Sequence, residues 1–283
     1  MKNVALVSRA RHVLVLSACF AMLVPALCAA QQAGSGAPEA DDSAELAKKL
    51  SNPVAALVSV PFQLNWEQGV GPDKQTRFVL NVQPVMPFSV NPQWNMIARV
   101  IMPLVSQPPL AAGGQPAFGI SDVLASFFFS PTSGSIVWAV GPVISLPSTT
   151  IPTLGSEKWS AGPTALVLKQ QGPWTYGALW NQVWSFAGNV KRNDVNQMFL
   201  QPFVSYTTKS LVTIGLNAES TANWKADDHK WTVPINVSIA KLSSFGTFPA
   251  SYQIGFGGFA ASPTIGPDWK LRAWLTILMP RRK

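Results

Sequence analysis

Five ionisable residues fall where an extended chain would turn them all to one side: Arg99, Asp122, Glu219, Lys270 and Arg272. Three cations and two acids scattered over the chain make a poor catalytic set but a workable electrostatic one. Rings of Arg or Lys along an interior favour anions, so a weak anion preference is expected if these side chains share a lumen. Amides and hydroxyls at Gln63, Asn65, Asn81, Gln83, Gln201, Asn217, Asn236, Ser238 and Gln253 follow the same alternation. Catalysis has less to work with. The sequence holds two histidines, His12 and His229, and the second lies in Ala226–Lys230 (ADDHK), which reads as a solvated loop tip. Three adjacent residues such as Asp227, Asp228 and His229 rarely converge on one ion. An interfacial hydrolase would want a serine, a histidine and an orienting polar group together. No Walker A, G-x-S-x-G or H-E-x-x-H pattern occurs. The expectation is no enzyme, no catalytic residue, no metal and no cofactor.

The elements that position these residues are strands. From Trp231 to Ala240 the chain reads WTVPINVSIA. Side chains alternate sides along a strand, so Val233, Ile235, Val237 and Ile239 share one face while Thr232, Asn236 and Ser238 share the other. Segments of this kind, roughly ten residues long and separated by turn residues, mark an outer-membrane barrel. Composition agrees. The chain is 283 residues long, 47% hydrophobic and only 12% charged, against about 25% charged in ordinary soluble domains. No apolar run beyond the N-terminus reaches the ~18 residues of a membrane helix. A closed barrel is the other fold that satisfies every backbone group in lipid.

The N-terminus predicts export. Lys2, Arg9 and Arg11 precede an apolar stretch from Val13 to Leu27, and Cys28-Ala29-Ala30 supplies small residues before Gln31, so residues 1–30 read as a signal peptide. Cleavage there removes both cysteines, Cys19 and Cys28, and with them any disulfide. It also removes three of the 21 basic residues, leaving 18 against 13 acidic ones and a net charge of +5. The remaining basic residues are scattered apart from Arg281-Arg282-Lys283, which is no nucleic-acid footprint.

Residues 31–57 read as a periplasmic linker and short helix, with Glu45 to Leu50 helical, Asp42 or Ser43 as N-cap and Asn52-Pro53 as the stop; the segment could plug the lumen. Residues 58–283 read as the barrel. About twelve strands are expected near 58–66, 77–86, 94–105, 118–130, 135–146, 158–170, 174–187, 194–207, 210–223, 231–242, 250–261 and 268–279. Connections after odd strands are long or charged: Glu67–Thr76, Ser106–Ala117, Pro147–Glu157, Gly188–Asn193, Lys225–Lys230 and Ser262–Pro267. Those at Pro131–Gly134, Gln171-Gly172-Pro173 and Thr208-Lys209 are tight, as periplasmic turns are, whereas Leu242–Pro249 is longer than that rule prefers. Trp66, Trp94, Trp159, Trp174, Trp184, Trp224, Trp231 and Trp269 lie near strand ends, where amphipathic rings form interfacial girdles. Pro84, Pro142, Pro163, Pro202 and Pro234 fall inside strands; each lacks a ladder donor, so bulges or bends are expected there.

Several stretches are familiar as a set: Glu45–Gln63 (ELAKKLSNPVAALVSVPFQ), Gly155–Trp159 (GSEKW), Ala161–Thr164 (AGPT), Leu168–Leu179 (LKQQGPWTYGAL) and Leu200–Lys209 (LQPFVSYTTK). Together they resemble a family of bacterial outer-membrane barrels known as transporter or meta-pathway phenol-degradation proteins, some of which carry the misleading name neuromedin U. The resemblance spans nearly all of the mature chain. It implies a Gram-negative outer-membrane barrel, a channel for small organic compounds, and supplies no substrate and no catalytic residue. The reading at this point is an all-β, transmembrane, up-and-down antiparallel barrel of about twelve strands with a short N-terminal helical segment. Its expected partners are outer-membrane lipid, small-molecule solutes and the barrel-insertion machinery, and its expected location is the outer membrane after signal-peptide cleavage. Passive passage of small solutes, aromatic or moderately apolar ones among them, is the leading expectation; a barrel with a blocked lumen is the alternative, and an interfacial enzyme the third. The fourteen interior-facing residues named above are the expected pore lining.

Overall fold

The computed structural model describes residues 40–279; the signal-peptide reading, the start of the linker and Arg281-Arg282-Lys283 lie outside them. Helix α1 spans Ala40–Lys49. It starts upstream of Asp42 and Ser43, which therefore lie inside the helix rather than capping it. Among the described residues fifteen strand segments follow: β1 (Val58–Val70), β2 (Gln75–Val82), β3 (Val85–Asn91), β4 (Trp94–Gln107), β5 (Ala117–Ile120), β6 (Val123–Pro131), β7 (Val137–Leu146), β8 (Lys158–Gln171), β9 (Trp174–Gly188), β10 (Asn196–Thr207), β11 (Val212–Ala218), β12 (Ser220–Asn223), β13 (Trp231–Phe245), β14 (Phe248–Ala261) and β15 (Trp269–Met279). β2 and β3 are one strand broken at Gln83-Pro84, β5 and β6 one broken at Ser121-Asp122, and β11 and β12 one broken at Glu219. The result is twelve strands. Each pairs antiparallel with its neighbours in sequence, and β15 pairs with β1 from Val58↔Met279 to Gln68↔Trp269, closing the barrel. Closure leaves no free edge, the condition for a sheet in lipid.

The side-chain alternation decides which face looks where. In β13, Asn236 is 4% exposed and its neighbour Val237 54%. The same contrast separates Gln63, Asn65 and Glu67 from Leu64 and Trp66 in β1. Large apolar side chains thus form the outer band. Trp66, Trp159, Trp174, Trp184, Trp224, Trp231 and Trp269 are all exposed on it near strand ends, and several pair edge to face, as Trp174 does with Tyr206 at 4.9 Å.

Longer connections gather at one end of the barrel and tight turns at the other. The awkward stretch Leu242–Pro249 is not a long turn: β13 and β14 continue into it and meet at Gly246-Thr247. The β1–β2 connection likewise shrinks to residues 71–74, because both strands outrun the expected limits.

The prolines reveal one recurring device. Pro234 sits at a bulge against β14. Pro61 in β1 lies opposite the Gln83-Pro84 break, Pro103 in β4 opposite the Ser121-Asp122 break, and Gln201-Pro202 in β10 opposite Ala218-Glu219, at the β11–β12 break. Pro142 and Pro163 face each other across β7 and β8, and the ladder lapses on their outer sides, opposite Gly141-Pro142 and Gly162-Pro163. A proline without an N–H therefore faces a place where the neighbour requires no donor from it, although Gln83 and Ser121 still donate to the Pro61 and Pro103 carbonyls, and most of these gaps cost no change of register. Room matters too: a Cβ on Gly141 would collide with the Phe127 carbonyl oxygen.

Candidate functional site

The barrel interior is built from three groups of residues. The first is a polar network centred on Glu219, which the β11–β12 break places inside the wall. The Glu219 carboxylate accepts from Arg272 through Nη1 at 2.9 Å and Nη2 at 2.6 Å, a two-pronged contact, and from Lys270 Nζ at 3.4 Å. Arg272 Nε also donates to Asn65 Oδ1 at 2.8 Å. Register explains this assembly: Asn65 stands opposite Arg272 and Glu67 opposite Lys270 on the β1–β15 ladder. Lys270 in turn has space because Gly257 lies beside it; a Cβ there would strike Asn236 and the Lys270 stem. Asn236 donates to Asn217 at 2.8 Å. On the other side of β1, Arg99 Nη2 donates to Gln83 Oε1 at 2.7 Å, and Gln83 meets Gln63 at 2.5 Å. A separate pair, Arg77 with Glu67 at 2.5 Å, lies closer to the longer connections.

The second group is apolar. Val85, Ile97, Phe128, Ala139, Leu166, Leu168 and Leu179 project inward from β3, β4, β6, β7, β8 and β9 and pack together, and Val54 of the segment after α1 packs among them. Each fully buried Leu, Ile or Phe is worth about 1.5–3 kcal/mol. Leu46, Ala47 and Leu50 meet Leu211, Leu242 and Leu278 at the tight-turn end, and Gln170 Nε2 donates to the Lys48 carbonyl at 2.9 Å. Residues 46–55 are thus bound to the barrel's inner surface near that end.

The third group surrounds a cavity of about 200 Å³ between that segment and the polar network. Gln83, Arg99, Gln201, Asn217, Ser238, Gln253 and Trp274 supply its polar wall, and Leu50, Leu57, Val85 and Phe203 its apolar one.

Of the fourteen residues expected inside, twelve lie in these groups. Asn81 stands opposite Gln63 on the β1–β2 ladder and turns the same way. Asp122 is placed differently. Its Oδ2 accepts from the Ser156 N–H and hydroxyl, both at 2.6 Å, so it anchors the 147–157 connection instead of joining the three cations. Glu219 is the acid that meets them. The inward apolar residues escaped the alternation argument, yet a signal was present. Phe127-Phe128-Phe129 and the run Ala165-Leu166-Val167-Leu168 are apolar on both faces, which says that the interior side is buried as well. His229 is exposed, with Nε2 3.9 Å from Asp228. At the loop end, Lys158 Nζ bonds Asp194 at 3.1 Å and holds that carboxyl below its usual range.

An outer-membrane channel from Pseudomonas putida F1 superposes with a TM-score of 0.62 at 13% identity, covering 79% of this chain and 94% of that one. The NanC porin gives 0.51 at 8% identity, covering 78% of this chain and all of the other. This chain has the barrel fold of outer-membrane channels. Likeness at such low identity speaks to fold. No family model matches the sequence, and no curated protein does.

Proposed function

We propose that this protein is a channel of the Gram-negative outer membrane that passes small solutes by diffusion, aromatic or moderately apolar ones among them. One observation carries the reading: a closed barrel, apolar outside, with charged and amide side chains bordering a cavity inside. A barrel of twelve strands is wider than the eight-stranded kind that side chains fill and narrower than the 16–18 strands of open porins. Narrow passage is what that size allows. The channel folds compared above support the reading, as does the resemblance of the LKQQGPWTYGAL stretch and its companions to outer-membrane transporter proteins. In this role the fourteen interior-facing candidates line the path, Asp122 at its loop-end margin. The signal peptide delivers the chain to the periplasm, and insertion machinery and lipid complete its partners. No step needs a catalytic group.

A second reading has its own observation. Val54 sits among inward-facing side chains and residues 46–55 hold to the barrel at the tight-turn end, so this segment could close the lumen as a plug. Planar-bilayer recording separates the two. Steady single-channel steps from the purified full-length protein support the channel. Silence in several lipids, with steps appearing only after residues 31–57 are deleted, supports the plugged barrel.

A further inference from the structure

Arg99 and Arg272 stand at the two ends of a row through Gln83 and Gln63, and their partners differ. Gln63, Gln83 and Arg272 are buried. Arg99 Nη2 donates to Gln83 Oε1 at 2.7 Å, and Gln83 meets Gln63 at 2.5 Å. The Gln63 amide lies 2.9, 3.0 and 3.2 Å from Arg272 Nε, Nη2 and Nη1, over the guanidinium face rather than in line with an N–H. A guanidinium carries five N–H donors and no acceptor, so an end of the row with few partners can take a further acceptor.

Arg99 is the end that can receive it. Arg272 already has Asn65 and Glu219, whereas Arg99 has Gln83 and borders the cavity. The cavity's charged lining residues are Arg99 and Lys49; neither Asp nor Glu borders it among the described residues. The lining also includes Gln201, Asn217 and Trp274, whose indole Nε1–H is buried without a hydrogen-bond partner among the described residues. Leu50, Leu57, Phe203 and Val85, the last paired with Arg99 across β3 and β4, give the cavity its apolar surface. At about 200 Å³ the space falls below that of common drug-sized pockets, about 300–1,000 Å³.

We propose that this cavity is a binding site for small monocarboxylates with an apolar body, the carboxylate on Arg99 and the body against the leucine and phenylalanine wall. The proposal rests on the channel reading for its biological sense, since it names a solute class, but its test does not depend on conduction. Titration calorimetry on the full-length protein folded in detergent compares hexanoate, hexanamide, hexylamine and acetate. Hexanoate is expected to bind at least about tenfold more tightly than each of the others, the range of a charge-assisted hydrogen bond. R99Q should lower hexanoate affinity by about ten- to a hundredfold. Because a lumen variant could fail to fold, the wild-type contrast of hexanoate with hexanamide stands as an independent measure. Equal affinity for those two, or a folded R99Q that binds hexanoate as wild type does, overturns the proposal. Equal affinity for acetate and hexanoate overturns the apolar part. Binding in a protein that is silent in bilayers sinks the channel reading alone; steady channels without hexanoate preference sink the site alone.

Discussion

Replacing Glu219 with Gln removes the carboxylate that Arg272 grips at 2.6 and 2.9 Å and Lys270 meets at 3.4 Å. The charges gathered in this network are Arg99, Lys270 and Arg272 against Glu219, a net of two positive that becomes three. One added unit of charge acting on an ion about 6 Å away is worth about 0.7 kcal/mol at the dielectric of water and about 2.8 kcal/mol at an effective value of about 20. A hydrated lumen belongs near the lower figure. Anions gain that amount and cations lose it, so the permeability ratio should move by about 1.4 kcal/mol, or about tenfold toward anions. The wild type should show a weaker anion preference, and R272Q, which takes a positive charge away, should reduce it. Reversal potentials across a salt gradient in planar bilayers measure all three. The substitution also strips two buried cations of their partner, a change costing about 3–5 kcal/mol when water cannot reach the site, so E219Q should unfold at lower urea. A permeability ratio unchanged in E219Q, or shifted toward cations, would refute the account, because it would place the network off the ion path.

Three further outcomes follow from other parts of the barrel. V54D puts a charge among Phe128, Leu166 and Leu179 and should loosen the segment after α1; liposome swelling should then quicken, and an unchanged rate would mean that this segment does not restrict passage. Asp194 is held below its ordinary range by the hydrogen bond and charge of Lys158, with Ser185 and Lys225 adding to it. Its folded value is the lower one, so the contribution is present above the usual Asp value of 3.8 and fades as pH falls through the folded value. Pepsin cleavage in the 189–195 connection, taken relative to D194N at each pH because the protease itself titrates in this range, should therefore rise as acidity increases in that window; a constant ratio would mean that Asp194 does not hold the connection. G141A drives a Cβ into the Phe127 carbonyl oxygen, which should cost about 1–3 kcal/mol, read as a lower urea midpoint for the detergent-folded barrel; an unaltered midpoint would mean that β6 and β7 separate freely at this gap.

Much of this protein is legible in one dimension because a barrel wall is a local object. Strand period, turn residues and the scarcity of charge are properties of neighbouring residues, and they placed twelve strands, most limits within a few positions, and assigned Asn236 inward and Val237 outward. The prolines announced irregularity, since a missing N–H is visible in the residue itself. What they could not announce was the partner. Pro61 needed the break at Gln83-Pro84 beside it, and Pro202 the break at Glu219, and those alignments depend on register between strands. The same distinction governs the interior. Alternation says which side a residue faces but not how far along the axis it stands or what crosses the lumen to meet it. Asp122 and Glu219 looked equivalent as inward acids; the fold gave the first to Ser156 and the second to Arg272 and Lys270. Arg99 and Arg272 lie 173 positions apart in sequence, and only the closed ladder puts two glutamines between them. The sequence by itself determined the wall, because alternation and turns are written in adjacent residues. The tertiary structure decided the contents, because closure brings distant strands to a shared height.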